Sequence, residues 1–152
     1  MQRHHLLPQQ LIGRSCFSRM IDALGREAIG FDDFRRNGLL LPASVPAALR
    51  VGMPLHRGPH REYNAMVADR VGQIEALWTC QIGHAPQLAR QSALFRLDLL
   101  QRALRRRLLN GACQRFTLNR KDPFRPGQDF AVLDAMVDQL WAATGHASRN
   151  AA

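Results

Sequence analysis

The chain has 152 residues, 46% apolar and 22% charged, the balance of one ordinary globular domain long enough to bury a core. No run approaches the roughly eighteen uninterrupted apolar residues of a membrane span, and the first residues form no apolar secretory segment. A non-membrane, cytoplasmic protein is therefore expected. The net charge of +9 and the pI near 11.3 come almost wholly from arginine, since Lys121 is the only lysine. Planar guanidinium groups favour paired hydrogen bonds to phosphate, so polyanions are the natural partners. Cys16, Cys80 and Cys113 are odd in number, widely spaced and without a CxxC pair. That argues against a disulfide framework or a thiolate zinc site and predicts three small buried side chains in a reducing compartment.

Residues 3–7 read as extended, with Pro8 stopping any helix through them. Cys16, Phe17, Met20, Ile21 and Leu24 share a helical face, with Ser15 as its N-cap and Gly25 as its stop. A short turn around Phe31–Arg36 leads to Leu39–Leu41, a short buried strand. Ser44 is expected to cap a brief helix that ends at Gly52.

Pro59 suits the first turn of a long helix with Tyr63, Val67, Val71, Ile74, Leu77 and Trp78 along its apolar stripe. Pro86 opens a second, with Leu88, Phe95, Leu99, Ala103 and Leu108 on the expected inner face. A third is predicted from Asp129 to Ala143, with Phe130, Leu133, Val137, Leu140 and Trp141 inward.

Four of the six histidines fall in two motifs, RHHLLP at residues 3–8 and LHRGPHREYN at residues 55–64. Neighbouring residues on a strand point to opposite faces, so His4 and His5 cannot easily do the same job. One imidazole suits a metal and the other a general base at neutral pH. His56 and His60 flank Arg57-Gly58-Pro59, a turn feeding a helix N-terminus, where both can converge on one ion. Arg57 and Arg61 stand beside them, placed to hold a phosphate. Each motif alone is a common accident of sequence; NGLLLP at residues 37–42 joins them into an order of HH, Asn plus strand, then HxxxH-x-x-Y-N.

In that order, over Arg3 to about Val71, the chain resembles the AHH group of the HNH, or His-Me finger, nuclease superfamily with its ββα-metal core. The resemblance implies a small ββα-metal core, placed over residues 1–84; with the helices read above as a C-terminal helical extension over residues 85–152, the expected fold is α+β, mostly α. It implies that His4 is a metal ligand and His5 the base that activates water. His60 is the firmer and His56 the looser further ligand, and Asn37 either orients the base or braces the loop. His5 and Asn37 thus form the catalytic set, and Arg57, Arg61 and Arg3 the substrate-binding set. Arg3 stands where the family's name calls for Ala.

The implied activity is metal-dependent endonucleolytic hydrolysis of phosphodiester bonds, DNA favoured over RNA, with little sequence specificity. One divalent ion is implied, Zn²⁺, Ni²⁺ or Mn²⁺ suiting imidazoles better than Mg²⁺. Relatives often serve as toxin domains in bacterial competition, which makes a cognate inhibitor protein a further expected partner. The alternatives are an RNase on the same scaffold and a non-enzymatic basic helical protein that binds nucleic acid or a partner around a structural metal.

Other residues invite blander readings. Asp32 and Asp33 could pair on a hard metal but better suit the start of a turn. Tyr63 on its apolar stripe suits packing with its hydroxyl near the site. Glu62 suits a solvated helix face, and neither His84 nor His146 has a plausible partner. Ten cations between Arg90 and Arg125 face only Asp98 and Asp122, which reads either as a polyanion-tracking surface or as an ordinary solvated face.

Overall fold

The computed structural model describes residues 1–110 and 116–124. Strand β1 (Gln2–His5) pairs antiparallel with β2 (Gly38–Leu41), in the register Gln2 with Leu41, Arg3 with Leu40, His4 with Leu39 and His5 with Gly38. Between the strands lie a single 3-10 turn at Gln9–Leu11 and three short helices: α1 (Ser15–Leu24), α2 (Arg26–Ile29) and α3 (Phe34–Asn37). After β2 come α4 (Val45–Val51), then the long helices α5 (Arg61–Ile82) and α6 (Pro86–Leu109). This is an α+β, mostly α fold: a two-stranded sheet and helix of ββα type, followed by a helical hairpin. The expected helix over residues 129–143 lies outside the described residues.

Helix α1 buries Phe17, Met20, Ile21 and Leu24, which recur at helical spacing, and stops at Gly25, whose φ of 85° suits a residue without Cβ. Its N-cap is Arg14 rather than Ser15, without a side-chain capping bond. Cys16 is exposed, as is Cys80, so neither is the buried thiol expected; Cys113 lies outside the described residues. Asp33 caps α3 by accepting the Arg35 N–H at 2.8 Å, and Asp32 pairs with Arg26 at 2.7 Å. The two carboxylates are thus engaged separately in a turn.

Along α5 the expected stripe of Tyr63, Val67, Val71, Ile74 and Trp78 is buried, while Leu77 is exposed. The helix begins at Arg61, two residues beyond Pro59, which leaves His60 at the N-cap. On α6 the buried row is Ala89, Ala93, Leu97, Gln101, Leu104 and Leu108. Of the expected row only Leu108 is inside; Leu88, Phe95, Leu99 and Ala103 face outward. Small Ala89 and Ala93 let α6 approach the elements it packs on, α5, α1 and α2, so the inner face is set by close fit rather than side-chain size.

Part of the arginine run holds the fold together. Arg90 donates to the carbonyls of Ala23 and Leu24 at the end of α1, each at 2.8 Å. Arg105 donates to those of Arg35 and Arg36 at the end of α3, at 2.6 and 3.3 Å. Guanidinium groups at helix C-termini satisfy carbonyls that have no partner within the helix and complement the negative end of the helix dipole. Arg102 pairs with Asp98 at 2.7 Å, one turn away on the same helix.

Candidate metal centre

Strand alternation separates the paired histidines. His4 points inward and is only 3% exposed, and His5 lies on the other face, partly buried. The His4 ring meets His56 at 5.0 Å, His60 at 5.5 Å and Tyr63 at 4.9 Å between centroids. The His56 and His60 rings are 4.4 Å apart. His56 is tied to the end of β2 by its own N–H, which donates to the Pro42 carbonyl at 2.8 Å. The chain then turns at Gly58, with φ of 81°, and delivers His60 to the start of α5.

The hydrogen bonds choose the ring nitrogens. A carbonyl only accepts, so His60 donates from Nδ1 to Leu118 O at 2.9 Å and keeps its lone pair on Nε2. His56 donates from Nδ1 to Gln2 Oε1 at 3.1 Å with the same consequence. His4 Nε2 is buried with no hydrogen-bond partner. One ligand atom from each of the three residues lies within 4.8 Å of the others.

Burial, followed by the neighbouring imidazoles His56, His60 and His5, pushes the His4 pKa down to about 3. Burial and then His60 push His56 down to about 4, against a raising contribution from its backbone hydrogen bond. Both are therefore neutral near pH 7, with lone pairs available and protons unwelcome.

A buried, unpartnered imidazole nitrogen facing two more, with the Nδ1 hydrogens of those two held by oxygen, fits one divalent cation. Nitrogens on a tetrahedral ion sit about 3.3 Å apart, given metal–nitrogen distances of about 2.0–2.1 Å. The rings need only draw together by roughly 1.5 Å from the outer separation. The all-imidazole set is compatible with Zn²⁺, Ni²⁺ or Mn²⁺.

On the other face of β1, the His5 ring stands edge-on to Phe34 at 6.4 Å, and the Arg3 guanidinium covers the same Phe34 at 4.2 Å. Gly38, opposite His5 in the ladder, makes this possible: a Cβ there would lie 2.0 Å from the Phe34 ring. Asn37 is wholly buried. Its Nδ2 donates to the carbonyls of Leu7 at 3.1 Å and Phe31 at 3.0 Å, while its Oδ1 accepts the Leu7 N–H at 2.7 Å and Gln101 Nε2 at 3.4 Å. These bonds tie the turn after β1 to the Phe31 carbonyl and to Gln101 of α6. Tyr63 packs its ring on His4 and donates its hydroxyl to the Leu6 carbonyl at 2.8 Å, and burial holds its pKa far above the ordinary phenol value.

The structure brings His4, His56 and His60 together and sets His5 behind them. Arg61 lines a cleft of about 420 Å³ beside His60, Arg57 is exposed on the turn, and Arg3 stays on the His5 face. Glu62 is exposed at the cleft, as a solvated helix face requires. The opposite wall is a segment that the sequence reading did not connect to the site, Leu118 to Lys121, which adds Arg120 and Lys121 to the cleft. Its turn chemistry was visible, since Asn119 accepts the Lys121 N–H and Asp122 the Phe124 N–H. Where that turn would dock was not.

Residues 1–104 match the model of AHH, described as a nuclease family of the HNH/ENDO VII superfamily with conserved AHH. The chain belongs to this family. No curated protein and no solved structure matches it. Membership and the three-histidine cluster together mark a metal-dependent, HNH-type nuclease with one divalent-metal site, and a nucleic-acid-binding protein. The family match runs past α5 and into α6, covering Gln101 and its contact with Asn37. Among the described residues no helix is long and apolar enough to cross a membrane.

Proposed function

We propose that the chain is an endonuclease that hydrolyses phosphodiester bonds of DNA with low sequence specificity, with residues 1–84 and their extension working as one unit. The observation that carries the reading is the buried, unpartnered His4 Nε2 beside His56 and His60. His4, His56 and His60 hold a divalent ion, which when bound neutralises charge on the phosphoryl group and at the leaving oxygen. His5, on the facing-away side of the same strand, takes the proton of the attacking water; its Nδ1 is buried without a hydrogen-bond partner. Asn37 acts through the loop that it braces.

Arg57 and Arg61, joined by Arg120 and Lys121, contact backbone phosphates, and Arg3 does so from the His5 side. Contacts of this kind fix the strand without reading bases, which supports low specificity. An effector of toxin type, restrained by an inhibitor protein, is the biological setting that fits such an activity.

Supercoiled plasmid and a structured RNA, each incubated with Mg²⁺, Mn²⁺, Zn²⁺ or Ni²⁺ and with EDTA, test the reading. Metal-dependent nicking of the plasmid is expected. Cleavage of RNA alone would replace the DNA substrate, and cleavage of neither would leave the fold without the proposed activity.

A further inference from the structure

Residues 116–124 follow α6, lie beyond the stretch that matches the family, and return to the loop that carries two of the three metal-site histidines. Three polar ties fasten them there. The Leu118 carbonyl accepts from His60 Nδ1 at 2.9 Å, Asp122 Oδ2 accepts the Leu55 N–H at 3.0 Å, and the Asn119 amide donates to the Arg57 carbonyl. Leu118 is buried in the core cluster, and Phe116 packs edge-on to Tyr63 at 5.6 Å. The segment also stiffens itself: Asn119 Oδ1 accepts the Lys121 N–H at 2.7 Å, Asp122 Oδ1 accepts the Phe124 N–H at 3.0 Å, and Asp122 N–H donates to Asn119 O at 3.1 Å.

We propose that this strap is a positioning element of the metal site: it fixes the ring orientation and tautomer of His60, so that Nε2 is the nitrogen offered to the ion. The inference rests on the reading of His60 as a ligand. A neutral imidazole carries one hydrogen, and whichever nitrogen bears it cannot ligate. The Leu118 carbonyl claims the Nδ1 hydrogen, and being part of a buried, anchored backbone it cannot swing away as a side chain can. His56 offers the contrast, since its Nδ1 partner is the exposed side chain of Gln2.

Asp122 and Asn119 are not among the candidate ligands; they hold Leu118 where it acts. Asp122 is 7% exposed, and each of its carboxylate oxygens takes a backbone N–H. Its removal therefore frees both the strap and the loop at Leu55. A ligand at the start of α5 is thus oriented by residues 58 positions later, after the chain has traversed both long helices.

The test uses the full chain with Asp122→Ala and, separately, Asn119→Ala. Imidazole ¹H–¹⁵N spectra of the metal-free protein read the His60 tautomer, Zn²⁺ competition against a chromophoric chelator reads affinity, and circular dichroism reads the fold. Folded wild type is expected to show His60 with its hydrogen on Nδ1. Asp122→Ala should show a mixture at His60 with His56 unchanged, and Zn²⁺ affinity lower by roughly 10–100-fold, the usual loss when a partner behind a metal ligand is removed. Should Asp122→Ala fail to fold, Asn119→Ala, at the less buried end of the strap, carries the same two readouts with a smaller loss.

Folded variants with wild-type His60 signals and Zn²⁺ affinity within twofold of wild type would overturn the proposal while leaving the nuclease reading intact. The reverse result, with the predicted tautomer and zinc effects but no cleavage by wild type, would overturn the nuclease reading and leave the strap's role standing.

Discussion

Replacing Asn37 by alanine should unfold the protein far more readily than any exchange on its surface. The side chain is wholly buried and joins the turn after β1, the Phe31 carbonyl and Gln101 of α6 through one amide. Alanine leaves the Leu7 N–H, the Leu7 carbonyl and the Phe31 carbonyl without their partner. A buried polar group stranded in this way costs about 1–3 kcal/mol, and water entering the vacated space recovers some of it. Three such groups give a loss of about 3–6 kcal/mol, against a total stability of about 5–15 kcal/mol for a domain.

Asn37→Asp should be no better. Its second oxygen would face two carbonyls that now receive hydrogen bonds, and a buried charge is added. Urea unfolding followed by far-ultraviolet circular dichroism measures the loss from the midpoint at unchanged slope. In a melt the alanine variant should fall by roughly 10–20 °C, at about 2–4 °C per kcal/mol for a chain of this size. A loss below about 1 kcal/mol for Asn37→Ala would refute the brace, because a solvated or redundant amide costs that little.

Acid should weaken both fold and metal site. The His4 pKa is pushed down to about 3 from 6.5, so between those pH values the unfolded chain takes up a proton that the folded chain refuses. Metal-free stability should therefore hold above pH 6.5 and decline below it, by at most about 1.4 kcal/mol per pH unit from His4, as urea midpoints at pH 7.5 and 4.5 would show. Flat stability over that range would contradict the burial of a neutral His4. Gly38→Ala should displace Phe34 from beside His5 and Arg3, costing about 1–3 kcal/mol by overpacking alone, since φ at Gly38 is −127° and open to any residue. Tyr63→Phe keeps the ring against His4 but strands the Leu6 carbonyl, so a loss of about 1–2 kcal/mol with Zn²⁺ affinity nearly unchanged is expected from calorimetry. Joint neutralisation of Arg61, Arg120 and Lys121 by glutamine should flatten the salt dependence of duplex binding by about 0.9 logarithmic units per lost phosphate contact; an unchanged slope would move the nucleic acid away from this cleft.

The histidine constellation was legible because strand alternation is strict. Once residues 3–7 are extended, His4 and His5 must face apart, and the turn at Gly58 fixes where His56 and His60 re-enter. The stripe of α5 was legible for a similar reason, since its buried residues are the large apolar ones at helical spacing. Helix α6 hid its inner face because Ala89, Ala93 and Gln101 carry weak apolar signals, whereas Leu88, Phe95 and Leu99 carry strong ones and lie outside. The arginine run read as a uniform charged surface; Arg90 and Arg105 are instead occupied by the carbonyl ends of α1 and α3, a partnership that exists only once the helices are in place. The same holds for the strap. Asn119 and Asp122 announce a turn, but the distance from His60 to Leu118 depends on the length and direction of both long helices.

The division of labour among the four histidines is the central claim, and metal content measured beside cleavage tests it most directly. Wild type, His5→Ala and His60→Ala are loaded with Zn²⁺ or Mn²⁺, freed of excess ion, assayed for bound metal, and then given supercoiled plasmid. His5→Ala should retain one ion per chain and lose cleavage, and His60→Ala should lose both. A His5→Ala variant that still cleaves, or a His60→Ala variant that holds its metal as tightly as wild type, would contradict the account.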